Sequence, residues 1–275
     1  MLTIGKTARV DPAIITSTAA LQVALGGSES VIRLGEGIFN MDAVLTLPPG
    51  KTLEGVDPTK TTLNWNVAAA GSAIVSVSGG GGGIMNQTRI RGIGFTNTGG
   101  GALASVDTVE SFTTFEDLLS EVLPILARGS WNKVTNCAVT GAGGGITLAG
   151  VQSIVEKCRL LSAVVGILID ADACIASENI IVGDGATTFG IRVAVTRDFI
   201  QVLGNNISAV GGTPGHGIGI DSVAGQNLVA TNICHGAFGG SGILFASGTP
   251  GTTHAISNMT AGGLVLNGAT GLGNT

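Results

Sequence analysis

A degenerate unit of roughly two dozen residues recurs along most of this 275-residue chain, and a period of that size is the signature of a solenoid. Each unit carries a turn residue, an apolar residue after it, and a short strand further on. The turn positions align as Gly92, Asp117, Asn136, Lys157, Asn179, Asn206, Asn232 and Asn258. The apolar followers are Ile93, Leu118, Cys137, Cys158, Ile180, Ile207, Ile233 and Met259. Steps run from 19 residues (Asp117 to Asn136) to 27 (Asn179 to Asn206). The strands that follow are centred on Leu126, Thr147, Leu168, Arg192, Gly219, Leu244 and Val265, and from the second onward a glycine stands just before each, at Gly145, Gly166, Gly190, Gly217, Gly242 and Gly263.

One such unit cannot bury its own apolar face, so neighbouring turns must stack on it. The apolar runs are short, rich in Ile, Val and Leu, and broken by Gly, Asn, Ser and Thr, which argues against helical coils. An all-β parallel solenoid remains. Asn tolerates the left-handed backbone region that a sharp turn needs, and its amide can both donate and accept between stacked turns. Asn136, Asn179, Asn206, Asn232 and Asn258 are therefore expected to form a structural ladder. The segment from Phe112 to Arg128 is expected to be a coil rather than an amphipathic helix, because Phe115-Glu116-Asp117-Leu118-Leu119 aligns with Val134-Thr135-Asn136-Cys137-Ala138.

At its N-terminal end the chain has an apolar stretch from Thr18 to Leu25, then Val31-Ile32-Arg33-Leu34-Gly35-Glu36-Gly37 and Leu45-Thr46-Leu47-Pro48-Pro49-Gly50-Lys51-Thr52-Leu53-Glu54-Gly55. With the repeat, these segments resemble the right-handed parallel β-helices of the pectate-lyase type, a superfamily that also includes phage tailspikes and other virion proteins. The resemblance implies a single-stranded parallel β-helix of about nine coils, each rising about 4.8 Å, with a short helix capping the first sheet edge. It divides the chain into a cap helix with its first strands over 1–54 and a β-helix over 55–275, one structural domain in all. The fold specifies no function by itself, because enzymes and binding proteins share it.

Composition narrows the partners. Only 11% of residues are charged, against about 25% in ordinary domains, and mean hydropathy is +0.49. No apolar run reaches the ~18 residues that membrane insertion needs. Alternation along each strand sends its middle residue outward, so Leu126, Leu168, Leu244 and Val265 are expected on an outer face as an oligomer interface. The resemblance to spike proteins implies a homotrimer that contacts other virion proteins and host-surface polysaccharide. A net charge of -5 opposes a nucleic-acid partner. The four cysteines suggest reduced core thiols, no metal spacing links them to the three histidines, and no cofactor motif is present. Met1 to Lys6 lacks a secretory signal. These features fit a virion component assembled in the host cytoplasm.

Two function classes follow. The first is a structural or adhesive virion protein: a tail spike, fibre or capsid-surface component. The second is a polysaccharide hydrolase or lyase of the same fold. For the second, Asp170 and Asp221 fall at equivalent positions two coils apart, about 10 Å between backbones, near the carboxyl spacing of roughly 6.5–9.5 Å used by inverting glycosidases. His216 lies beside them in Gly215-His216-Gly217, which resembles the Gly-His-Gly element of polygalacturonase-type hydrolases. The Asn-Thr-Asp, Asp-Asp and Arg-Ile-Lys elements of that family are absent, so His216 is expected at an exposed corner. With no Tyr and only Trp65 and Trp131, few rings are available to stack sugars.

Overall fold

The computed structural model describes residues 7–10, 18–66, 71–76, 87–100, 102–121, 123–141, 143–161, 163–210, 212–221, 226–245, 253–261, 263–266, 270–272 and 274. Met1 to Lys6 lie outside them. The chain divides into two compact units, Met1–Ala138 and Val139–Thr275. Each is a parallel β-solenoid built from three sheets, A, B and C, visited in that order once per turn.

In the first unit the helix Thr18–Gly26 buries Leu21 and Leu25. The Thr18 hydroxyl accepts the amides of Asp42 and Ala43 at 2.9 and 3.2 Å. Gln22 then mimics a strand: its Nε2 donates to the Thr46 carbonyl at 2.8 Å and its Oε1 accepts the Thr46 amide at 2.7 Å. Thr46 sits on Leu45–Leu47, the first strand of sheet C, whose other neighbour is Gly71–Ser76. The helix therefore satisfies a strand edge that would otherwise be open for pairing, as the sequence suggested. The Phe112 to Arg128 segment contains the strands Thr114–Glu116, Leu119–Glu121 and Ile125–Ala127 and no helix.

Alternation fills the interior. Sheet A sends Ile32, Leu53, Ile90, Phe115 and Val134 inward in the first unit, and Val155, Ala176, Val202, Val229 and Ala255 in the second, in continuous register within each. The glycines before the sheet C strands are enforced by close packing. A Cβ built on Gly166 would stand 2.5 Å from the Gly190 carbonyl oxygen, one on Gly190 2.7 Å from that of Gly217, and one on Gly217 2.4 Å from that of Gly242.

The turn from sheet A to sheet B corrects the sequence alignment. Left-handed backbone falls on Gly92, Asp117 and Asn136 in the first unit, and on Lys157, Glu178, Gly204, Thr231 and Ser257 in the second. In the second unit the asparagines are not the turn residues. They follow the turn and point into the solenoid, where Asn179, Asn205, Asn232, Asn258 and Asn274 form the ladder. Each Nδ2 donates to the next Oδ1, at 2.9 Å for Asn179 to Asn205 and for Asn205 to Asn232, and at 3.0 Å for Asn232 to Asn258 and for Asn258 to Asn274. Each Oδ1 also accepts the backbone amide of the preceding rung, from Cys158 to Asn179 through Asn258 to Asn274.

Two expected ladder members are therefore displaced. Asn206 is exposed and its neighbour Asn205 takes the rung, while Asn136 is an exposed left-handed turn residue followed by Cys137 instead of a rung. The selective advantage of Asn in this column is a buried amide able to donate and accept along the solenoid; the tight turn itself is held by residues as different as Lys157 and Thr231. All four thiols are buried and unpaired to one another. Burial pushes the Cys174 thiol up to about 11 and the Cys234 thiol to about 12.

Candidate functional site

The predicted outward column of sheet C holds in the second unit: Thr147, Leu168, Arg192, Gly219, Leu244 and Val265 are register partners on successive strands. Leu126, in the first unit, pairs with Asp107 and is half-buried. The column is not one apolar stripe. Arg192 and Gly219 separate Leu168 from Leu244, so only Leu244 and Val265 adjoin.

Over Gly219 lies the ring of Phe189, close enough that a Cβ on the glycine would stand 2.3 Å from Cε1. Phe189 opens the strand Phe189–Val193 and His216 opens the strand His216–Ile220, in register with each other. Their rings are 5.2 Å apart with an interplanar angle of 24°. The guanidinium carbon of Arg192 stands 5.2 Å from the Phe189 ring centre, a cation–π distance.

His216 departs from the exposed corner expected of it. It is half-buried at a strand start, and the Ser241 amide donates to its Nδ1 at 2.9 Å. That bond makes Nδ1 an acceptor, which leaves Nε2 as the nitrogen that carries hydrogen and can donate. Gly240 makes room for it, since a Cβ there would be 2.2 Å from the His216 Cε1. The glycines flanking His216 also have packing causes: a Cβ on Gly215 would meet the Thr188 carbonyl oxygen at 2.4 Å.

The carboxylates fall where the spacing placed them. The amides of Asp170, Ala194 and Asp221 each donate to the preceding coil, to Leu148, Ile169 and Val193. That makes Asp170 and Asp221 equivalent residues two coils apart, about 10 Å along the solenoid. Each, however, is tied to an arginine. Arg197 donates through Nε and Nη2 to Asp170 Oδ1 at 3.1 and 2.8 Å, and Arg192 donates through Nε to Asp221 Oδ2 at 2.7 Å. A general acid must carry the proton it delivers, and an oxygen accepting from a guanidinium is engaged as an acceptor. The arrangement is two ion pairs flanking an aromatic cluster, which suits binding better than acid–base cleavage.

Phe189 and Arg197 were missed in the sequence. A signal for Phe189 existed: the residues just before the glycine column read Val165, Phe189, His216 and Ser241, and two consecutive rings stand there. A groove of about 400 Å³ elsewhere in the second unit, lined by Phe199, Gln201, Leu228 and His254 among others, contains none of these residues.

No protein-family model matches the sequence, and no curated protein sequence does. Solved structures do match. A PL6 alginate lyase in complex with a trisaccharide superposes with a TM-score of 0.61 at 11% identity over 96% of this chain. The catalytic domain of a GH87 alpha-1,3-glucanase in complex with nigerose gives 0.57 at 15% over 92%. A pectin methylesterase from carrot gives 0.57 at 14%, covering 98% of this chain and 89% of that one. The chain is a right-handed parallel β-helix. At these identities the likeness is one of fold, and this β-helix spans about three fifths of the lyase and glucanase chains, 60% and 58%.

Proposed function

We propose that this β-helix binds a polysaccharide along the outer face of sheet C in its second unit. The observation that carries the reading is the cluster of Phe189, His216 and Arg192 on that face. An aromatic ring supplies flat apolar area for the C–H face of a sugar. His216 Nε2–H adds one donor, and the Arg192–Asp221 bond uses Nε alone, so two of the three guanidinium nitrogens lie outside that ion pair. Sugar-binding sites combine these parts: a ring to stack on and a few fixed polar groups to orient hydroxyls or a carboxylate. The similar folds of an alginate lyase and a glucanase solved with saccharides support the reading at the level of architecture.

The test is titration of alginate, pectate and α-1,3-glucan oligosaccharides by calorimetry, with reducing-end release and unsaturated-product absorbance followed in parallel. Binding without cleavage is expected, weakened about tenfold or more in Phe189→Ala and Arg192→Ala, since a cation–π or stacking contact is worth ~1–2 kcal/mol. No binding to any of the three overturns the reading. Cleavage that Asp170→Ala or Asp221→Ala abolishes would make the chain a hydrolase acting through that pair.

A trimeric structural or adhesive virion component is the second reading. It rests on Leu244 and the 37%-exposed Val265 as outward neighbours on sheet C. Light scattering tests it: a mass near three times 27.2 kDa supports the trimer, and a monomer removes it.

A further inference from the structure

The first unit carries a second aromatic feature that the sheet C cluster does not use. At the corner from sheet C to sheet A, Phe112 and Trp131 occupy equivalent places on successive turns. The Phe112 amide donates to the Ser130 carbonyl at 3.0 Å, and the Ser130 amide donates to the Ser111 hydroxyl at 3.2 Å. Both residues have left-handed backbone, with φ of 60° and 61°. Phe112 is partly buried there and Trp131 is the more exposed of the two. The rings are parallel to within 7°, with centres 6.0 Å apart, and Trp131 is 50% exposed.

We infer that Phe112 and Trp131 form a carbohydrate-binding platform for the apolar face of a pyranose ring. The patch is too small for a protein partner. A fully covered Phe or Trp buries about 150–250 Å², so a half-exposed Trp131 with a more buried Phe112 offers less than about 200 Å², against ~800 Å² per partner in a stable protein interface. Its surroundings are polar, as a sugar's hydroxyl rim requires. Ser111 and Ser130 hold the backbone of the corner, and Arg128 stands two residues from Ser130, its Nη2 donating to Asp107 Oδ2 at 2.8 Å. The second carboxylate oxygen of Asp107, Oδ1, is buried and accepts no hydrogen bond among the described residues. The corner is also rigid: a Cβ on Gly129 would stand 1.9 Å from the Glu110 carbonyl oxygen, so successive corners are locked together there. A preformed surface gives up little entropy when a ligand docks. The platform is independent of sheet C and requires neither Phe189 nor Arg192.

Iodide quenching of tryptophan fluorescence tests it, because Trp65 is 2% exposed and Trp131 is the accessible indole of the two. The probes are a neutral gluco-oligosaccharide and an oligouronate, each six sugars long. One of them is expected to shield Trp131 from iodide at saturation. Phe112→Asn, which the left-handed corner tolerates and which keeps Trp131 as the reporter, is expected to need about tenfold more of that probe for the same shielding. Phe189→Ala is expected to leave the shielding intact, which separates failure of this site from failure of the sheet C site. Iodide access unchanged by both probes overturns the inference. So does shielding that rises with protein concentration in the absence of sugar, because the rings would then be a contact between copies of the chain.

Discussion

Replacing Asn205 by alanine tests the reassigned ladder most directly. Asn205 Oδ1 accepts the Asn179 amide at 3.0 Å and the Asn179 Nδ2 at 2.9 Å, while its own Nδ2 donates to the Ala176 carbonyl at 3.0 Å and to Asn232 Oδ1 at 2.9 Å. Alanine removes all four. Asn232 Oδ1 still receives the residue 205 amide, and Asn179 Nδ2 keeps its bond to the Val155 carbonyl. Two donors are left bare: the Asn179 backbone N–H and one hydrogen of its side-chain amide. Both belong to a residue with no solvent exposure, so water cannot replace the lost acceptor. An unsatisfied buried polar group costs about 1–3 kcal/mol, so the pair comes to about 4 kcal/mol. That is a large share of the 5–15 kcal/mol by which a domain is typically stable.

The control is one residue away. Asn206 is exposed and meets the exposed His235 at 3.1 Å, so Asn206→Ala is expected to change stability by no more than about 0.5 kcal/mol. Urea denaturation of the two variants and the wild type measures the difference, and hydrogen exchange at the Asn179 amide localises it. Equal midpoints for the two variants would refute the ladder assignment, as would a wild-type exchange rate at Asn179 in Asn205→Ala.

Three further outcomes follow from the same geometry. Gly219→Ala is expected to push the Phe189 ring off its place over the strand, costing about 1–3 kcal/mol as an overpacked site does and weakening any saccharide bound there; unchanged stability and affinity would show that the ring does not depend on the glycine. Thr18→Ala removes the acceptor for the Asp42 and Ala43 amides and is expected to cost about 1–2 kcal/mol by thermal melting, the net value of one or two hydrogen bonds between the helix and the strand it covers. The thiols of Cys174 and Cys234 are raised from 9.0 to about 11 and about 12. The unfolded chain therefore loses those protons first as pH climbs, so stability should be level with respect to the thiols below pH 9 and fall above it, by up to about 1.4 kcal/mol per pH unit for each. Native-state alkylation at pH 8 should be slow at both positions, and rapid labelling would contradict their burial.

Much of the fold was legible because a parallel solenoid repeats its constraints in the sequence. The Gly-Ile-x-Ile pattern placed Thr147, Leu168, Arg192, Gly219, Leu244 and Val265 in true register, since a strand alternates strictly and the preceding glycine is fixed by the backbone of the next turn. The asparagine column was less legible for a reason the structure makes plain. Asn is both a good left-handed residue and a good buried rung, and the two roles sit next to each other in this turn. Glu178, Thr231 and Ser257 do not look like left-handed residues, so the adjacent Asn attracts the turn assignment, and Asn205-Asn206 offers two candidates at once.

The site shows the converse. Their equivalent places in the repeat located Asp170 and Asp221, because such positions are backbone properties; what engages them is not. Arg192 belongs to the coil between them and turns to Asp221, and Arg197 reaches Asp170 from the following corner. Long flexible side chains choose partners across coils, at separations of 27 and 29 residues that no local pattern encodes. Those two arginines change what the carboxylates can do: a pair spaced like a glycosidase's acid and base becomes a pair of charge clamps on either side of Phe189 and His216. Freeing one carboxylate from its guanidinium is therefore the sharpest separation of binding from catalysis. Arg197→Met, which keeps the stem and removes the charge, frees Asp170 from its guanidinium. Cleavage appearing only in that variant would show that the spacing is competent for chemistry and that the ion pair suppresses it; continued binding without cleavage would show that the face is built for recognition.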